Sequence, residues 1–324
     1  MSGINSIKDP VKKELEEFEV FFRGQAQSPY KSLDFILTYI VRRKGKQLRP
    51  LFVFLSAKLI GEVTQSTHVA AAMIELLHTA TLIHDDVVDE AYERRGFWSV
   101  NALWRSKIAV LVGDFILSKG LMVAVEHKEY EMLETMSNAV KEMSEGELFQ
   151  IEKSRKMDIT EDDYYSIIRK KTATLIAACT SSGARSAGAD KATVAKLYEI
   201  GILLGMAFQI KDDLFDFQPA ALTGKPSGND IKEKKLTLPL IFALNNGSKK
   251  EREEIISLIK KLKGKRQEVD KIIAFVEQKG GIVYAEQKMN ECKINAITLL
   301  HEIPDNPSRQ ALEALAHYIV SRKS

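Results

Sequence analysis

The sequence of 324 residues lacks the features of secreted and membrane-spanning proteins. Its two cysteines, Cys179 and Cys292, form neither a disulfide framework nor a metal-ligand spacing, which favours a reducing compartment. The longest apolar run, residues 200–208, is too short to cross a bilayer, and the N-terminus lacks the apolar core of a signal peptide. We therefore expect a cytoplasmic protein without a transmembrane segment, whose contact with a membrane would be peripheral.

A strong charge of one sign is also missing. The net charge is +3, and no run of lysine and arginine is interleaved with aromatic residues in the manner of nucleic-acid binders. The charge balance therefore indicates no particular macromolecular partner, and nucleic acid is not expected to be one.

Proline and glycine are scarce, at 8 and 18 residues, and most prolines fall between segments of helical periodicity. No segment alternates apolar and polar residues for long enough to predict a strand. Residues 67–89, 108–125, 174–186, 194–216 and 236–244 fit helices with a broad apolar face, and Pro239 is expected near a helix start. With no linker and no internal repeat, the sequence predicts one all-α domain over residues 1–324, a many-helix bundle.

Two Asp-Asp-x-x-Asp clusters stand in this apolar background. Residues four apart share one side of a helix, so Asp85 is expected to stack over Asp89, and Asp212 over Asp216. Like charges at this spacing destabilise a helix, whereas Mg²⁺ bound through a few carboxylates would offset the repulsion and keep sites for phosphate oxygens. The alternative is that the clusters are two solvated acidic patches that arose by chance. Two chance copies of this motif in one chain are improbable. The candidate metal ligands are Asp85, Asp86, Asp89, Asp212, Asp213 and Asp216.

Several basic segments accompany the clusters, although each alone would be an ordinary surface charge. They are residues 42–50 ahead of a helix, Arg94-Arg95, Lys170-Lys171-Thr172 at a helix start, and the lysines of a predicted loop at residues 217–235. Arginine pairs bidentately with phosphate oxygens, and lysine supplies mobile charge, so these segments beside metal-loaded aspartates suit a diphosphate. His78 and Gln209 share the helical faces of Asp85 and Asp212 and are candidates for the same ligand.

Other catalytic patterns are absent from the sequence: there is no Ser-His-Asp or Cys-His arrangement, no Walker loop and no dinucleotide-binding glycine motif. The chemistry is therefore expected to rest on metal and diphosphate. A metal-clamped diphosphate is a leaving group, and the carbocation that an allylic diphosphate leaves behind must be kept from water. The apolar flanks of both clusters would provide that dry pocket.

The motifs and their order resemble those of the trans-type polyprenyl diphosphate synthases, the family of farnesyl, geranylgeranyl and octaprenyl synthases. The resemblance covers residues 45–240. It rests on Gly45-Lys46-Gln47-Leu48-Arg49-Pro50, His84-Asp85-Asp86-Val87-Val88-Asp89 with Arg94-Arg95-Gly96, Lys171-Thr172, Phe208-Gln209-Ile210-Lys211-Asp212-Asp213-Leu214-Phe215-Asp216, and Gly224-Lys225-Pro226-Ser227-Gly228-Asn229-Asp230.

The resemblance implies parallel long helices whose two aspartate motifs face each other across a cavity with three Mg²⁺ ions, and it implies a homodimer. The residues implied on isopentenyl diphosphate are Lys46, Arg49, His78 and Arg95. Those implied on the allylic diphosphate are Arg94, Lys171, Thr172, Gln209, Lys225 and Lys235, with Lys234 as the alternative to Lys235. Lys44 and Gln47 depart from the family's usual glycine and arginine, but neither removes a charge expected on substrate.

The implied reaction is ionisation, condensation and elimination. Its implied catalytic residues are Asp85, Asp86, Asp89, Asp212 and Lys171, of which the aspartates hold metal and do not transfer protons. Removing Asp85 or Asp212 is expected to lower turnover by orders of magnitude with the fold intact and, by relieving repulsion, to leave stability unchanged or higher.

Product length is expected to depend on Ala80 and Thr81, which lie about one helical turn before Asp85. In this resemblance farnesyl-type members carry aromatic residues there, whereas residues 77–84 look like the octaprenyl-type members. The prediction is an all-trans product near C40 for quinone side chains, and Met122 and Phe149 are candidates for the tunnel floor. The small residues at 80 and 81 also fit a second explanation, close helix packing.

Four alternatives remain. A short-chain farnesyl or geranylgeranyl synthase would share every motif. A terpene cyclase would share the first aspartate motif but usually has an Asn/Ser/Glu second metal site. A non-catalytic subunit of a heteromeric synthase would lack metal ligands, and none is missing here. A di-iron carboxylate bundle would need Glu-x-x-His pairs, which the sequence lacks.

Overall fold

The computed structural model describes residues 3–42, 45–94, 96–218, 228–262 and 266–322. Within them the elements are α1 (Ile4–Lys8), a 3₁₀ turn (Asp9–Val11), α2 (Lys12–Gln25), α3 (Lys31–Val41), α4 (Leu48–Ile60), α5 (Gln65–Val88), β1 (Glu93–Arg94), β2 (Phe97–Trp98), α6 (Val100–Glu126), α7 (Tyr130–Lys156), α8 (Glu161–Ile168), a π turn (Arg169–Ala173), α9 (Thr174–Ser186), α10 (Lys191–Phe215), α11 (Asn229–Lys232), α12 (Leu238–Asn246), α13 (Lys249–Lys260), α14 (Arg266–Gln278), α15 (Gly281–His301) and α16 (Pro307–Ser321). The predicted all-α bundle is confirmed.

Helices α4, α5, α9 and α10 form the centre of the bundle. α4 packs against α5 and α9, α9 packs against α10, and α6 and α15 cover the outer sides of α5 and α10. The sequence of α4 is apolar almost throughout, and Leu51–Leu55 are fully buried, as a helix surrounded by others requires. α9 approaches α4 closely at Gly183, where an added Cβ would lie 2.2 Å from the Val53 carbonyl oxygen.

Capping residues fix where the two aspartate-bearing helices begin. Thr64 and Thr67 form a capping box at the start of α5, and the Asp190 side chain accepts from the Thr193 amide at the start of α10. α5 ends at Val88 and α10 at Phe215, so each aspartate cluster occupies the last turn and the residue after it. The clusters are thereby presented at helix ends, where the chain leaves the bundle.

Three local features differ from the sequence prediction. The expectation of no strands is wrong for a small hairpin, because Glu93–Arg94 pairs antiparallel with Phe97–Trp98. α6 begins at Val100, eight residues before the predicted 108, since the Ser99 hydroxyl accepts from the Ala102 amide and starts the helix there. Lys170, Lys171 and Thr172 lie in a π turn between α8 and α9 and not at the start of an α-helix. π turns often mark functional positions.

α6 and α10 are long and apolar enough to cross a membrane by length and composition alone. About half of the apolar stretch of α10 (50%) and 39% of that of α6 are buried. Core helices of soluble proteins share these properties, so two such helices are weak evidence for a span. The absence of a transmembrane segment stays a prediction.

Candidate active site

The first aspartate cluster lies at the C-terminal end of α5. Asp85 and Asp89 are exposed, whereas Asp86 is buried. The Asp89 amide donates to the Asp85 carbonyl, which keeps the turn helical up to the capping residue. The predicted placement of Asp85 and Asp89 on the solvent side of one helix end is consistent with this geometry.

The second cluster, at the C-terminal end of α10, is more enclosed. Asp213 and Asp216 are buried, and Asp212 is partly exposed. The Asp212 carboxylate accepts a hydrogen bond of 2.6 Å from Arg322 Nη2. The second cluster also has protein donors on its carboxylate oxygens.

Asp216 anchors the residues that follow the cluster. Its Oδ1 accepts from the Asn229 amide at 2.6 Å and its Oδ2 from the Asp230 amide at 3.1 Å, while its carbonyl accepts from the Gly228 amide at 2.9 Å. Its carboxylate and that of Asp212 thus have different partners. A role for Asp216 as a metal ligand stays a prediction, and the structure shows it holding the start of α11 against the end of α10.

A cavity of about 580 Å³ lies between the two helix ends, and both Asp86 and Asp212 line it. Lys46 and Arg49, two of the residues predicted on isopentenyl diphosphate, line the same cavity. Its apolar wall includes Leu76, Leu82, Ile83, Val100 and Ile116. Cationic groups at one side and an apolar wall at the other suit an amphipathic ligand with a charged head.

A smaller pocket of about 90 Å³ gathers four of the residues predicted on the allylic diphosphate, namely Lys171, Thr172, Gln209 and Lys235. Lys234 is exposed and does not line it, which favours Lys235 over its neighbour. Burial disfavours the charged form of Lys235, but its 2.5 Å hydrogen bond to Glu233 and the negative charges of Glu233, Asp230 and Glu147 together outweigh burial and raise its pKa. Lys235 therefore stays cationic.

A chain of hydrogen bonds runs along this pocket. Thr172 Oγ1 donates to Gln209 Oε1 at 2.7 Å, Gln209 Nε2 donates to Asp213 Oδ1 at 2.8 Å, and the Tyr164 hydroxyl donates to Asp213 Oδ2 at 2.6 Å. Sequence reasoning missed Tyr164, which lies on α8 and is 49 residues from Asp213. The chain orients Asp213 from two sides.

The π turn brings Lys170 and Lys171 against α7. Lys171 Nζ donates to Gln150 Oε1 at 2.9 Å and pairs with Glu147, and Lys170 Nζ lies 2.9 Å from Glu145. α7 has Gly146 at the contact, where an added Cβ would lie 2.9 Å from the Lys170 Cβ. Lys171, which is predicted on the allylic diphosphate, and its neighbour Lys170 are thus held by acceptors of α7.

Arg322, just after α16, is a second residue that sequence reasoning missed. Its side chain is 9% exposed, and its guanidinium lies over the Phe208 ring with 4.1 Å between the guanidinium carbon and the ring centroid. Besides Asp212, it donates to the Phe208 carbonyl at 3.3 Å. It lines the 580 Å³ cavity, so a cation from the far end of the chain joins Lys46 and Arg49 there.

Some predicted residues cannot be placed in the same way. Lys44, Arg95 and Lys225 lie outside the described residues, as do residues 219–227 of the predicted loop, and Arg94 is described by its backbone alone. His78 is partly buried on α5. Gln47 takes a left-handed conformation, φ +54°, at the residue before α4.

The predicted chain-length residues lie beside the cavity wall and not in it. Ala80 is buried among apolar residues of α5 and α6, and the Thr81 hydroxyl donates to the His78 carbonyl at 2.8 Å. The α5 residues that line the cavity include Leu76, Thr79 and Ile83. Of the two candidates for a tunnel floor, Met122 is 48% exposed on α6, and Phe149 is partly buried on α7; neither lines the cavity.

The described residues fit Mg²⁺ shared with a diphosphate better than a metal held by protein alone. Among them, no three His, Cys, Asp or Glu side chains are close enough to form a metal cage. Mg²⁺ in phosphate-transferring sites uses one or two carboxylates and takes its other ligands from water and phosphate. Asp85, Asp89 and Asp212 have accessible carboxylates of this kind.

The buried Asp213 gives the free protein a pH-dependent stability. Burial, with the nearby Asp230 carboxylate, raises the Asp213 pKa from 3.8 to about 7. The folded state therefore holds a proton that the unfolded state has lost. This stabilisation is fully present below pH 3.8 and is lost progressively as the pH rises to 7. Its upper limit is about 1.4 kcal/mol for each unit by which the folded and unfolded pKa values differ.

We expect thermal unfolding of the metal-free protein to show a midpoint that falls between about pH 4 and 7, on the order of a few degrees. Asp213→Asn should flatten this dependence, and Asp270→Asn on the exposed side of α14 should keep the wild-type slope. A slope unchanged by Asp213→Asn would show that another group is responsible.

Comparison with known proteins now decides the family. A family model described as polyprenyl synthetase matches residues 30–276. The chain belongs to the polyprenyl synthetase family. It is 37% identical to octaprenyl diphosphate synthase of Escherichia coli (strain K12) over 285 residues, 88% of each chain.

Solved structures agree with this membership. The polyprenyl synthase of Caulobacter crescentus CB15, complexed with calcium and isoprenyl diphosphate, superimposes with a TM-score of 0.90 at 30% identity over 99% of this chain and 98% of that one. A geranylgeranyl pyrophosphate synthase of Bacteroides thetaiotaomicron gives 0.83 at 36% identity over 99% of both chains. The family establishes this protein as a prenyltransferase, and Mg²⁺ dependence is general in the family.

Proposed function

We propose that this polyprenyl synthetase adds isopentenyl diphosphate units to an allylic diphosphate and makes an all-trans polyprenyl diphosphate of medium to long chain, near C40. The observation that carries the proposal is one cavity shared by Asp86, Asp212, Lys46 and Arg49, with an apolar wall beside them. Diphosphate heads would lie against the charged side, and the growing hydrocarbon would lie against the apolar side.

In this proposal Lys171, Thr172, Gln209 and Lys235 bind the allylic diphosphate, and Lys46 and Arg49 bind that of the isopentenyl substrate. The Thr172–Gln209–Asp213 chain of hydrogen bonds orients the polar side chains of the smaller pocket. In the larger cavity, Leu82 and Ile83 keep water from the reacting carbons. Three Mg²⁺ ions held by the two clusters would neutralise the leaving diphosphate. His78, Arg94, Arg95 and Lys225 complete the proposed set of substrate contacts.

The proposed product length rests on the product lengths of similar proteins. The relative from E. coli is an octaprenyl diphosphate synthase, which supports a product near C40. A use of that product in quinone side chains is part of the proposal. The similarity to the geranylgeranyl synthase of B. thetaiotaomicron keeps a short-chain product as the second candidate. A purely regulatory subunit is disfavoured because all six aspartates are present.

A primer series tests the proposal. The protein is incubated with Mg²⁺, labelled isopentenyl diphosphate, and geranyl, farnesyl or geranylgeranyl diphosphate in turn. Incorporation of label that needs both Mg²⁺ and an allylic primer supports the reaction. Absence of incorporation with every primer would contradict it.

We further propose that the protein is a homodimer that associates through α6. This helix exposes Leu111 (56%) and Met122 (48%), and its other exposed apolar residues extend the face along the helix: Leu103, Ile108, Val110, Leu121 and Val125. So many exposed apolar side chains along one helix of 27 residues are more than isolated proteins usually leave in water, although the exposed Asp114 and Ser118 lie among them. A cytoplasmic location is proposed with it, and both cysteines are free thiols as that compartment requires.

Leu111→Glu with Met122→Glu is expected to convert the dimer to a monomer in sedimentation equilibrium, because each places a carboxylate in an apolar contact. Ile294→Glu, an equally exposed position (56%) on α15, is the control and should leave the dimer intact. A wild-type protein that sediments as a monomer would contradict the homodimer. Flotation of that monomer with vesicles would assign the face to a membrane instead.

A further inference from the structure

The carboxylate of Glu75 lies on α5, ten residues before Asp85, and takes no part in either aspartate cluster. Arg49, in the first turn of α4, donates to it twice: Nε lies 2.7 Å from Oε1 and Nη2 lies 3.3 Å from Oε2. The two side chains are only 18% and 15% exposed. This two-point contact fixes both the position and the plane of the guanidinium.

The pair faces the 580 Å³ cavity and not a packed interior, because both residues line that cavity. Other charged side chains line it too, namely Glu19, Arg23, Lys46, Asp86, Asp212 and Arg322. Lys46 lies 5.8 Å from the centroid of the Tyr318 ring, and Arg322 binds Asp212. Glu75 therefore holds Arg49 at the wall of a cavity whose other charged groups carry both signs.

We propose that Glu75 is a positioning residue, which holds the Arg49 guanidinium so that its remaining N–H groups point to the diphosphate of isopentenyl diphosphate. The inference rests on the proposed function. Two N–H groups of Arg49 are engaged by Glu75, and a guanidinium has five, so the outer edge is still available for phosphate oxygens. Because α5 also carries Asp85 and Asp86, one rigid helix sets the distance between the metal-binding end and the isopentenyl site.

Charge alone makes the opposite prediction. Glu75 is an anion beside an anion-binding site, so its removal would relieve repulsion and tighten the binding of a diphosphate. A positioning role predicts that removing Glu75 weakens diphosphate binding. Without Glu75 the Arg49 side chain is mobile, so ordering it when substrate binds costs conformational entropy. The direction of the change in KM for isopentenyl diphosphate therefore separates the two effects.

The chain offers a matched control pair. Lys58 of α4 binds Glu14 of α2, and the Glu14 side chain is 15% exposed, as Glu75 is. Neither Lys58 nor Glu14 lines the cavity. Glu14→Ala and Glu75→Ala each remove one partner of a part-buried ion pair, so they are expected to lower the unfolding midpoint by similar amounts.

The experiment measures KM and kcat for isopentenyl diphosphate and for farnesyl diphosphate, with calorimetric binding of isopentenyl diphosphate to each protein. Glu75→Ala is expected to raise KM and Kd for isopentenyl diphosphate by about tenfold, equal to about 1.4 kcal/mol, with KM for farnesyl diphosphate unchanged within about twofold. Glu75→Gln should give a smaller increase, because its amide oxygen still accepts from Arg49 Nε, and it keeps the test open if Glu75→Ala does not fold. Glu14→Ala should change neither KM.

Three results would overturn the inference. They are an unchanged or lower KM for isopentenyl diphosphate in Glu75→Gln, an equal rise of both KM values, and a rise in Glu14→Ala that matches that in Glu75→Ala. Failure of the proposed function is distinguishable, since the wild-type protein would then incorporate no isopentenyl diphosphate. An active wild type with unaffected Glu75 variants overturns the positioning role alone.

Discussion

Replacing Asp212 or Asp85 by alanine is expected to lower kcat by a factor on the order of a thousand, about 4 kcal/mol, because each change removes a carboxylate proposed to hold Mg²⁺ at the leaving diphosphate. Asp212 lines the cavity, and Asp85 is exposed at the facing helix end. The measurement is single-turnover incorporation of isopentenyl diphosphate at saturating Mg²⁺. Glu254→Ala, an exposed carboxylate on α13, is the control and should keep wild-type turnover.

The structure predicts different stabilities for Asp85→Ala and Asp212→Ala. The sequence predicts unchanged or higher stability for both, and for Asp85→Ala this stays the prediction. Asp212 is different, because Arg322 donates to it at 2.6 Å and is itself 9% exposed. Asp212→Ala leaves that guanidinium without its carboxylate, so its unfolding free energy is expected to fall by about 1 kcal/mol after allowance for the partial exposure of Asp212. Normal turnover in either variant would mean that its cluster is not a metal site.

A bulky residue on α5 is expected to shorten the product sharply. Thr81→Phe should stop elongation several units early while the first condensations continue, if the chain passes the face of α5 that carries Thr81. Ala80→Phe should have the same effect on length, but Ala80 is 1% exposed between α5 and α6, so overpacking is expected to cost about 1–3 kcal/mol of stability as well. Thr81→Phe is the cleaner of the two variants.

Thr79→Phe provides the decisive comparison, because Thr79 lines the 580 Å³ cavity and Thr81 does not. Products are separated by chromatography after hydrolysis to the alcohols. Shortening by Thr81→Phe alone would support the predicted tunnel. Shortening by Thr79→Phe alone would place the growing chain in the cavity, and unchanged products from both would remove α5 from length control.

Helices with a continuous apolar period were predictable from the sequence. The predicted segment 174–186 coincides with α9, and 194–216 lies within three residues of α10 at each end, because buried helices leave an unbroken 3.6-residue pattern. Pro239 falls in the first turn of α12 as expected. The positions of the aspartate clusters on α5 and α10 were also predictable, because carboxylates stand out against the apolar residues of a buried helix.

Partners that meet only in the folded chain were not predictable. Tyr164 reaches Asp213 across 49 residues, Arg322 reaches Asp212 across 110, and Glu75 reaches Arg49 across 26. Tyr164, Arg322 and Glu75 do not belong to any of the motifs found in the sequence, and no local pattern indicates which residue each of them contacts. The early start of α6 was missed because its first turns are less apolar, and Arg105 breaks the helical geometry there with φ +67°.

The most direct test of the central claim is the length of the product that the wild-type protein makes from farnesyl diphosphate and excess isopentenyl diphosphate with Mg²⁺, read by mass spectrometry of the extracted alcohols. The account predicts all-trans products centred near C40, and none when Mg²⁺ is chelated. Products that stop at C15 or C20 would contradict the medium-to-long-chain assignment, and products formed equally without divalent metal would contradict the role given to both aspartate clusters.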